Sequence, residues 1–107
     1  MTTTTYNGWT NYETWNVKLW IDNDEGSQTY WQEAAERVYA ESEADEPFTK
    51  LERATLDLSD LLKTEYEDAK PELEGFWADI LNAALSEVNW HEIAENMLED
   101  ISDEDDA

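Results

Sequence analysis

The stretch from Gly8 to Asn23, GWTNYETWNVKLWIDN, has the densest mixture of aromatic and amide side chains in the chain. Thr10 followed by Glu13 has the form of a capping box, in which a hydroxyl and a carboxylate satisfy free amides at a helix start. A helix is therefore predicted to begin near Asn11 and to end within the polar residues 22–26. Because its aromatic residues recur at helical spacing, we expect this helix to be the nucleus of the fold. The predicted stripe consists of Tyr12, Trp15 and Leu19.

The composition predicts one folded domain. The chain has 107 residues, of which 40% are hydrophobic and 12% aromatic, enough apolar surface for one core. It has no Cys, which excludes disulfides, thiolate metal sites and Cys nucleophiles. The sequence contains no apolar run long enough to cross a membrane and no recognisable signal peptide at its N-terminus.

Two further helices are predicted in the middle of the chain. The second is expected to start at a Ser27 cap and to run to about Glu43. The third is expected to follow a cap at Asp45, with Pro47 in its first turn, and to end at Pro71. Their buried stripes are predicted as Trp31, Ala34, Ala35, Val38 and Tyr39 in the second helix, and Phe48, Leu51, Thr55, Leu58, Leu61, Leu62, Tyr66 and Ala69 in the third.

The last two helices carry regular apolar patterns. Pro71 is predicted to open the fourth helix, whose pattern is so regular that we expect it to be deeply packed. Asn89 and Glu92 have the form of a second capping box, which opens a shorter fifth helix ending near Ile101. The fourth stripe comprises Leu73, Phe76, Trp77, Ile80, Leu81, Ala84 and Leu85; the fifth comprises Trp90, Ile93, Ala94, Met97, Leu98 and Ile101.

These patterns predict an all-α fold, a compact bundle of four to five helices. No alternating run of β-branched residues supports a strand. Residues 1–107 are expected to form a single acidic helical domain, with residues 1–7 and 102–107 flexible. Four tryptophans are expected in the core: Trp15, Trp31, Trp77 and Trp90.

Catalytic and metal-binding chemistry finds little support. Asp22, Asp24 and Glu33 match three positions of a calcium loop, but Ser27 occupies the position where that loop needs glycine. His91 is the only histidine. The chain therefore cannot form a metal site from several histidines, and a Ser-His-Asp triad could use no other histidine as its base. We therefore expect no metal, no cofactor and no enzymatic activity, and a solvent-facing His91.

Charge is the strongest functional signal in the sequence. The formal net charge is −22, and residues 71–107 contain twelve Asp and Glu but no Lys or Arg. Because binding to nucleic acids and anionic membranes depends on basic side chains, neither is expected as a direct partner. The charge is of the same size as that of a DNA duplex as long as the domain, which favours a protein that occupies a DNA-binding groove in place of DNA. The alternative is an acidic surface that only solvates the protein at high salt.

Two segments resemble a set of small uncharacterised proteins from phages, plasmids and other mobile elements. They are GWTNYETWNV with the following LWIDN, and VNWHEIAE at residues 88–95. The resemblance implies a mobile-element context and transfers no binding or catalytic residue. That context favours evasion of host defence, as in acidic anti-restriction and anti-CRISPR inhibitors that compete with DNA.

The leading hypothesis is therefore an acidic DNA mimic that acts in the cytoplasm of the host cell and binds the basic nucleic-acid groove of a defence nuclease or surveillance complex. The expected phosphate surrogates are Glu72, Glu74, Asp79, Glu87, Glu92, Glu95, Glu99 and Asp100. A second hypothesis is an accessory protein-interaction module that docks through its aromatic residues, with Trp9 and Trp20 as contacts. A third is a bundle that binds a ligand among its aromatic side chains. The sequence selects neither the target nor the oligomeric state.

Overall fold

The computed structural model describes residues 6–106, with side chains described as far as Ile101. Five α-helices make up this part of the chain, and its only β-type pairings are two isolated bridges. The predicted all-α fold is therefore confirmed. The helices are α1 (Tyr12–Asn23), α2 (Glu25–Glu41), α3 (Lys50–Ala69), α4 (Gly75–Ser86) and α5 (Trp90–Asp106).

Four of the helices form the packed body. α3 and α5 make the most extensive contact, α2 packs against both of them, and α1 packs against α2 and α5. Most core side chains come from α2, α3 and α5, and small residues at the crossings let the helix backbones approach closely. The fully buried or nearly buried core residues are Ile21, Trp31, Ala34, Ala35, Tyr39, Ala54, Leu58, Leu62, Val88, Trp90, Ile93, Ala94 and Leu98.

Three stacked rings join α2, α3 and α5. The Tyr66 ring lies 6.0 Å from the Trp31 ring and 5.7 Å from the Trp90 ring, at interplanar angles of 17° and 24°. Trp31 and Trp90 are buried as predicted, and Trp15 is half-buried. Aromatic pairs of this kind contribute about 0.5–1.5 kcal/mol beyond the area they bury. The tryptophan prediction is thus wrong for Trp77, which is 65% exposed on α4, and Trp15 does not belong to the core cluster.

The N-terminal segment is held by a tight turn. Tyr6 and Trp9 exchange two backbone hydrogen bonds of 2.8 Å, and Asn7 and Gly8 between them have φ values of 49° and 89°. Asn-Gly with both φ angles positive is the preferred two-residue hairpin turn, because glycine has no Cβ to clash. The turn brings the Tyr6 ring to 4.8 Å from the Trp15 ring. Flexibility was predicted for residues 1–7; residues 1–5 lie outside the described part of the chain.

The predicted helix caps are correct in type but often wrong in position. Asn11, not Thr10, caps α1, because its side chain accepts a hydrogen bond from the Thr14 amide. Asp24 caps α2 in place of Ser27, and α2 ends at Glu41, two residues earlier than expected.

The start of α3 was also predicted too early. Asp45 and Phe48 exchange backbone hydrogen bonds of 2.8 and 3.0 Å in a turn, so neither Asp45 nor Pro47 opens the helix. Thr49 and Glu52 form a complete capping box there instead. At each of these helix starts, two polar side chains within a few residues of each other are able to cap the helix. The surrounding contacts decide which of the two does so.

α4 differs most from its prediction. It begins at Gly75 and not at Pro71, after an extended segment, and Gly75 has a φ of 59° that suits a residue without Cβ. No residue of α4 is buried, so the expected deep packing is wrong. At the other end of the chain, α5 continues to Asp106 through most of the tail that was predicted to be flexible.

Half-buried Tyr66 makes stability depend on pH. Burial raises the pKa of the Tyr66 phenol above 10.0, opposed in part by a hydrogen bond from Trp31. The folded state therefore keeps this proton at a pH where the unfolded chain has lost it, so the stabilisation is complete below about pH 10 and is lost as the pH rises through the folded-state pKa. We expect the difference in unfolding free energy between the wild type and Tyr66→Phe to be constant from about pH 8 to about pH 9 and to shift against the wild type as the pH rises above about 10, as measured by urea unfolding. A constant difference would contradict this assignment.

Candidate functional site

Three carboxylates form a row along α5, which we call the acid row: Glu92, Glu95 and Glu99. Glu95 and Glu99 are exposed, and Glu92 is half-buried. With a helix rise of ~1.5 Å per residue, the three carboxylates are spread over ~10 Å, about one every 5 Å. The α5 backbone continues beyond them to Asp106.

The first member of the row also anchors the N-terminal segment. The Thr10 amide donates a hydrogen bond of 3.0 Å to Glu92 Oε1, while the Glu92 amide donates one of 3.0 Å to the Asn89 side chain. The Asn89 cap predicted for α5 is therefore present. Its expected reciprocal partner, the Glu92 carboxylate, accepts from Thr10 of a distant segment instead.

Hydrogen bonds from the opening segment converge on the start of α5. The Thr14 hydroxyl accepts from the Asn89 amide at 2.8 Å and donates to Asn11 Oδ1 at 2.6 Å. Asn11 Nδ2 donates to the Glu87 carbonyl at 2.6 Å. The two sequence segments that carry the family resemblance are thus in direct contact, and their polar residues hold α1 against the α4–α5 junction.

A groove lies on each side of the acid row. The first, which we call the Phe48 groove, has a volume of about 400 Å³ and lies between α3 and α5. The second, the Trp9 groove, has a volume of about 480 Å³ and lies between α5 and the N-terminal turn. Glu95 and Glu99 line both grooves. The other lining residues are Phe48, Leu51, Glu52, Thr55, Leu56 and His91 in the first, and Asn7, Gly8, Trp9, Glu92 and Asn96 in the second.

Lys and Arg side chains are absent from the described lining of the Phe48 groove and the Trp9 groove. Lys18 pairs with Asp22 at 2.7 Å and Arg53 with Asp57 at 3.7 Å, each within its own helix, and the Lys50 ammonium lies 4.5 Å from the Tyr39 ring centre.

His91 is the one ionisable nitrogen near the row. Its Nδ1 lies 3.4 Å from Glu95 Oε1, and it is exposed as predicted. Because this histidine bears charge only when protonated, the acid row has no permanent positive partner among the described side chains.

The structure distributes the other predicted acids over separate surfaces. Glu72 and Glu74 line a cavity of about 440 Å³ between the end of α3 and α4. Asp79 is exposed on α4, and Glu87 is exposed at the α4 C-cap. Asp100 lies in a cavity of about 310 Å³ beside α1 and α2, which Lys18 also lines. Of the predicted contacts, the structure therefore groups Glu72 with Glu74, and the acid row with Trp9.

A second surface was missed by the sequence interpretation. Four side chains on and just before α4 point outward, and we call them the α4 face: Leu73, Phe76, Trp77 and Ile80, with exposures of 42%, 67%, 65% and 51%. The Phe76 and Trp77 rings contact each other edge to face at 5.1 Å. The signal that could have revealed this surface is that α4 is apolar on more than one side, whereas a peripheral helix can bury only one.

Trp20 is also solvent-exposed, at 68%, but it lies on α1. None of the helices among the described residues is long and apolar enough to cross a membrane. Within the same part of the chain, no cluster of three or more His, Asp or Glu side chains has the arrangement of a metal site.

The chain belongs to a family of unknown function, DUF7249, whose model matches residues 2–105. No curated protein and no solved structure matches the chain. Membership of an uncharacterised family, which the two segments indicated, is therefore confirmed. The phage or plasmid origin remains a prediction.

Proposed function

We propose that this member of the family is a non-enzymatic DNA mimic, which occupies the basic nucleic-acid-binding groove of a host defence nuclease or surveillance complex. The observation that supports this proposal best is the acid row, a line of carboxylates on a helix with grooves on both sides and no Lys or Arg beside it. Such a surface attracts Lys and Arg arrays that have evolved to contact phosphates.

The magnitude of the charge agrees with the proposal. The molecule is 48 Å long in its longest dimension and has a net charge of −22. A duplex of that length has ~28 phosphates at one per ~1.7 Å. The acid row itself has one carboxylate per ~5 Å, compared with one phosphate per ~3.4 Å on a single strand. Its charge density is therefore about two thirds that of one strand.

The two grooves can add apolar contacts, which resist salt and discriminate between basic partners. A purely electrostatic contact weakens with salt and discriminates poorly between basic partners. Phe48 and Leu51 on one side, and Trp9 on the other, offer apolar surface next to the carboxylates. A partner that fills these grooves around the row would be held in a defined orientation, with Glu95 and Glu99 as the central contacts.

The competing explanation is that the acids serve only solvation at high salt. Solvation requires many carboxylates but no particular ones, whereas mimicry requires those that face the partner. The two functions therefore differ in their response to charge reversal at chosen positions. Glu95 and Glu99 suit this test because both are exposed and neither takes part in the network that holds the N-terminal segment.

The test compares two double variants with the same net charge. Glu95→Lys with Glu99→Lys changes the acid row, and Glu33→Lys with Glu36→Lys changes the exposed surface of α2; each pair changes the charge from −22 to −18. Immobilised wild type is first exposed to host lysate at low salt, and the retained DNA-binding protein is identified. We expect the acid-row variant to bind that protein at least tenfold more weakly, and the α2 variant to bind within about twofold of the wild type.

Two further measurements decide the mechanism. DNA should compete with the wild type for the retained protein, and affinity should fall about tenfold or more between about 50 and about 200 mM salt. Equal loss of binding in both double variants would support nonspecific acidity. Retention of no DNA-binding protein, or binding that DNA does not displace, would refute mimicry.

A further inference from the structure

The α4 face holds four of the ten exposed large hydrophobic side chains among the described residues. Exposed hydrophobic side chains occur singly on most proteins, but here Phe76, Trp77 and Ile80 lie on one face of α4, at i, i+1 and i+4, and Leu73 lies in the extended segment just before the helix. Contiguous patches of this kind on soluble proteins mark interaction sites. α4 is itself apolar on the inner side as well, where half-buried Leu85 packs against the core.

The border of this face is mainly acidic, although Lys70 lines one cavity with Leu73, Glu72 and Glu74. Glu72 and Glu74 precede α4, and Asp79 is exposed within it. The nearest basic residue in the sequence, Lys70, donates a hydrogen bond of 2.9 Å to Asn82 Oδ1. No Lys or Arg follows Lys70 in the sequence. The α4 face is thus an apolar stripe bordered by carboxylates.

We propose that the α4 face docks an amphipathic helix of a partner protein whose apolar stripe is bordered by Lys and Arg. The apolar side chains of such a helix would cover Phe76, Trp77 and Ile80, and its basic residues would reach Glu72, Glu74 and Asp79. Recognition of an amphipathic helix through anchors at i, i+3, i+4 and i+7 is a recurrent mode of peptide binding. An aromatic pair at the centre is typical of the residues that contribute most to such interfaces.

Charge complementarity selects this occupant over two others. A second copy of the chain would place one set of bordering carboxylates against the other, between two molecules that each have a net charge of −22. An anionic membrane surface would be repelled for the same reason. A basic helix is attracted to the border and covers the apolar stripe at the same time. This inference does not depend on the acid row and stands whether or not the protein mimics DNA.

The test uses two synthetic helical peptides with the same leucine stripe. One has lysines along the border of the stripe, and the other has glutamates in the same positions. Titration of each into the ¹⁵N-labelled full chain follows the indole resonances of Trp77 and Trp20. We expect the Leu/Lys peptide to shift the Trp77 resonance and to bind at least tenfold more tightly than the Leu/Glu peptide.

Two tryptophan variants form a matched control. Trp77→Ala and Trp20→Ala remove the same side chain at similar exposure, 65% and 68%, from different helices. Trp77→Ala should weaken binding of the Leu/Lys peptide about 10- to 30-fold, as removal of a central anchor does, and Trp20→Ala should weaken it less than about threefold. The Glu95→Lys, Glu99→Lys variant should bind this peptide as the wild type does, which separates the α4 face from the acid row.

Four results would overturn the proposal. The first is equal binding of both peptides, and the second is equal weakening by both tryptophan variants. The third is a wild-type dimer in sedimentation velocity that Ile80→Glu dissociates, because this would identify a second copy of the chain as the occupant. Absence of binding by the Leu/Lys peptide refutes the assignment directly.

Discussion

Ile93→Ala should lower the free energy of unfolding by about 2–5 kcal/mol, whereas Ile80→Ala should change it by less than about 1 kcal/mol. The two substitutions remove the same atoms from a helix. Ile93 is 0% exposed in the core, and Ile80 is 51% exposed on the α4 face. The large loss at Ile93 combines the lost transfer free energy of the side chain with the cavity left among its neighbours.

The measurement is guanidinium unfolding followed by circular dichroism, with the slope of each transition compared between variants. An unchanged slope shows that the difference in midpoint reports stability rather than a change in the unfolded state. The pair tests the architecture directly. Equal destabilisation by both substitutions would place α4 within the core, as its apolar pattern had predicted, and would remove the basis of the α4 docking surface.

Thr14→Val should destabilise the protein by about 2–4 kcal/mol, although it conserves the shape of the side chain. Thr14 is 0% exposed, and its hydroxyl has two partners on opposite sides. It accepts from the Asn89 amide and donates to the Asn11 side chain. Valine leaves the Asn89 amide without this acceptor at the start of α5. A buried donor without an acceptor costs about 1–3 kcal/mol in addition to the lost hydrogen bond.

Thr55→Val provides the matched control. Thr55 is also buried, but its hydroxyl donates to the Leu51 carbonyl of the same helix, an acceptor that does not depend on it. We expect Thr55→Val to cost less than about 1 kcal/mol. If the two variants are equally stable, the contact between the opening segment and α5 contributes little. Thr14→Ala, which removes the same hydrogen bonds and also some packing, should cost about as much as Thr14→Val only if the hydrogen bonds, and not packing, dominate at this position.

This contact changes how the opening segment is understood. Its density of aromatic and amide residues resembles a binding surface, yet Asn11 caps α1 and also reaches the Glu87 carbonyl. Thr14 connects the same segment to Asn89. What the segment contributes to a surface is Trp9, which lines the groove beside the acid row. Trp20 is exposed on another part of the molecule, so the two predicted aromatic contacts are not equivalent.

The acid row and the α4 face suggest a division of labour within the proposed function. Under the two proposals, the carboxylates on α5 would bind a phosphate-binding surface, and α4 would offer an apolar anchor whose contribution is insensitive to salt. If both surfaces engage one partner, the loss of either should weaken binding while the other retains partial affinity. The acid-row and Trp77 variants, measured alone and combined against the same retained protein, distinguish one partner from two.

Local patterns in the sequence were sufficient to predict the helices. Apolar residues at intervals of three and four, together with polar residues able to cap, depend only on the geometry of a single helix. The buried stripes of α2 and α5, including Trp31 and Ile93, were therefore predicted correctly. The positions of the caps were less predictable, because Thr10 and Asn11, or Asp24 and Ser27, are equally able to cap until the surrounding chain is in place.

The sequence by itself thus determined an all-α protein with a strongly acidic C-terminal third and an apolar stripe on every helix. Only the tertiary structure decided which stripes are buried. Apolar periodicity reports that a face can be removed from water, but not that a neighbour is available to cover it. α3 and α5 cover each other, while α4 lies at the edge and leaves Phe76 and Trp77 exposed. Likewise, the placement of Trp9 beside Glu95 depends on bonds between residues more than seventy positions apart, such as that from Asn89 to Thr14.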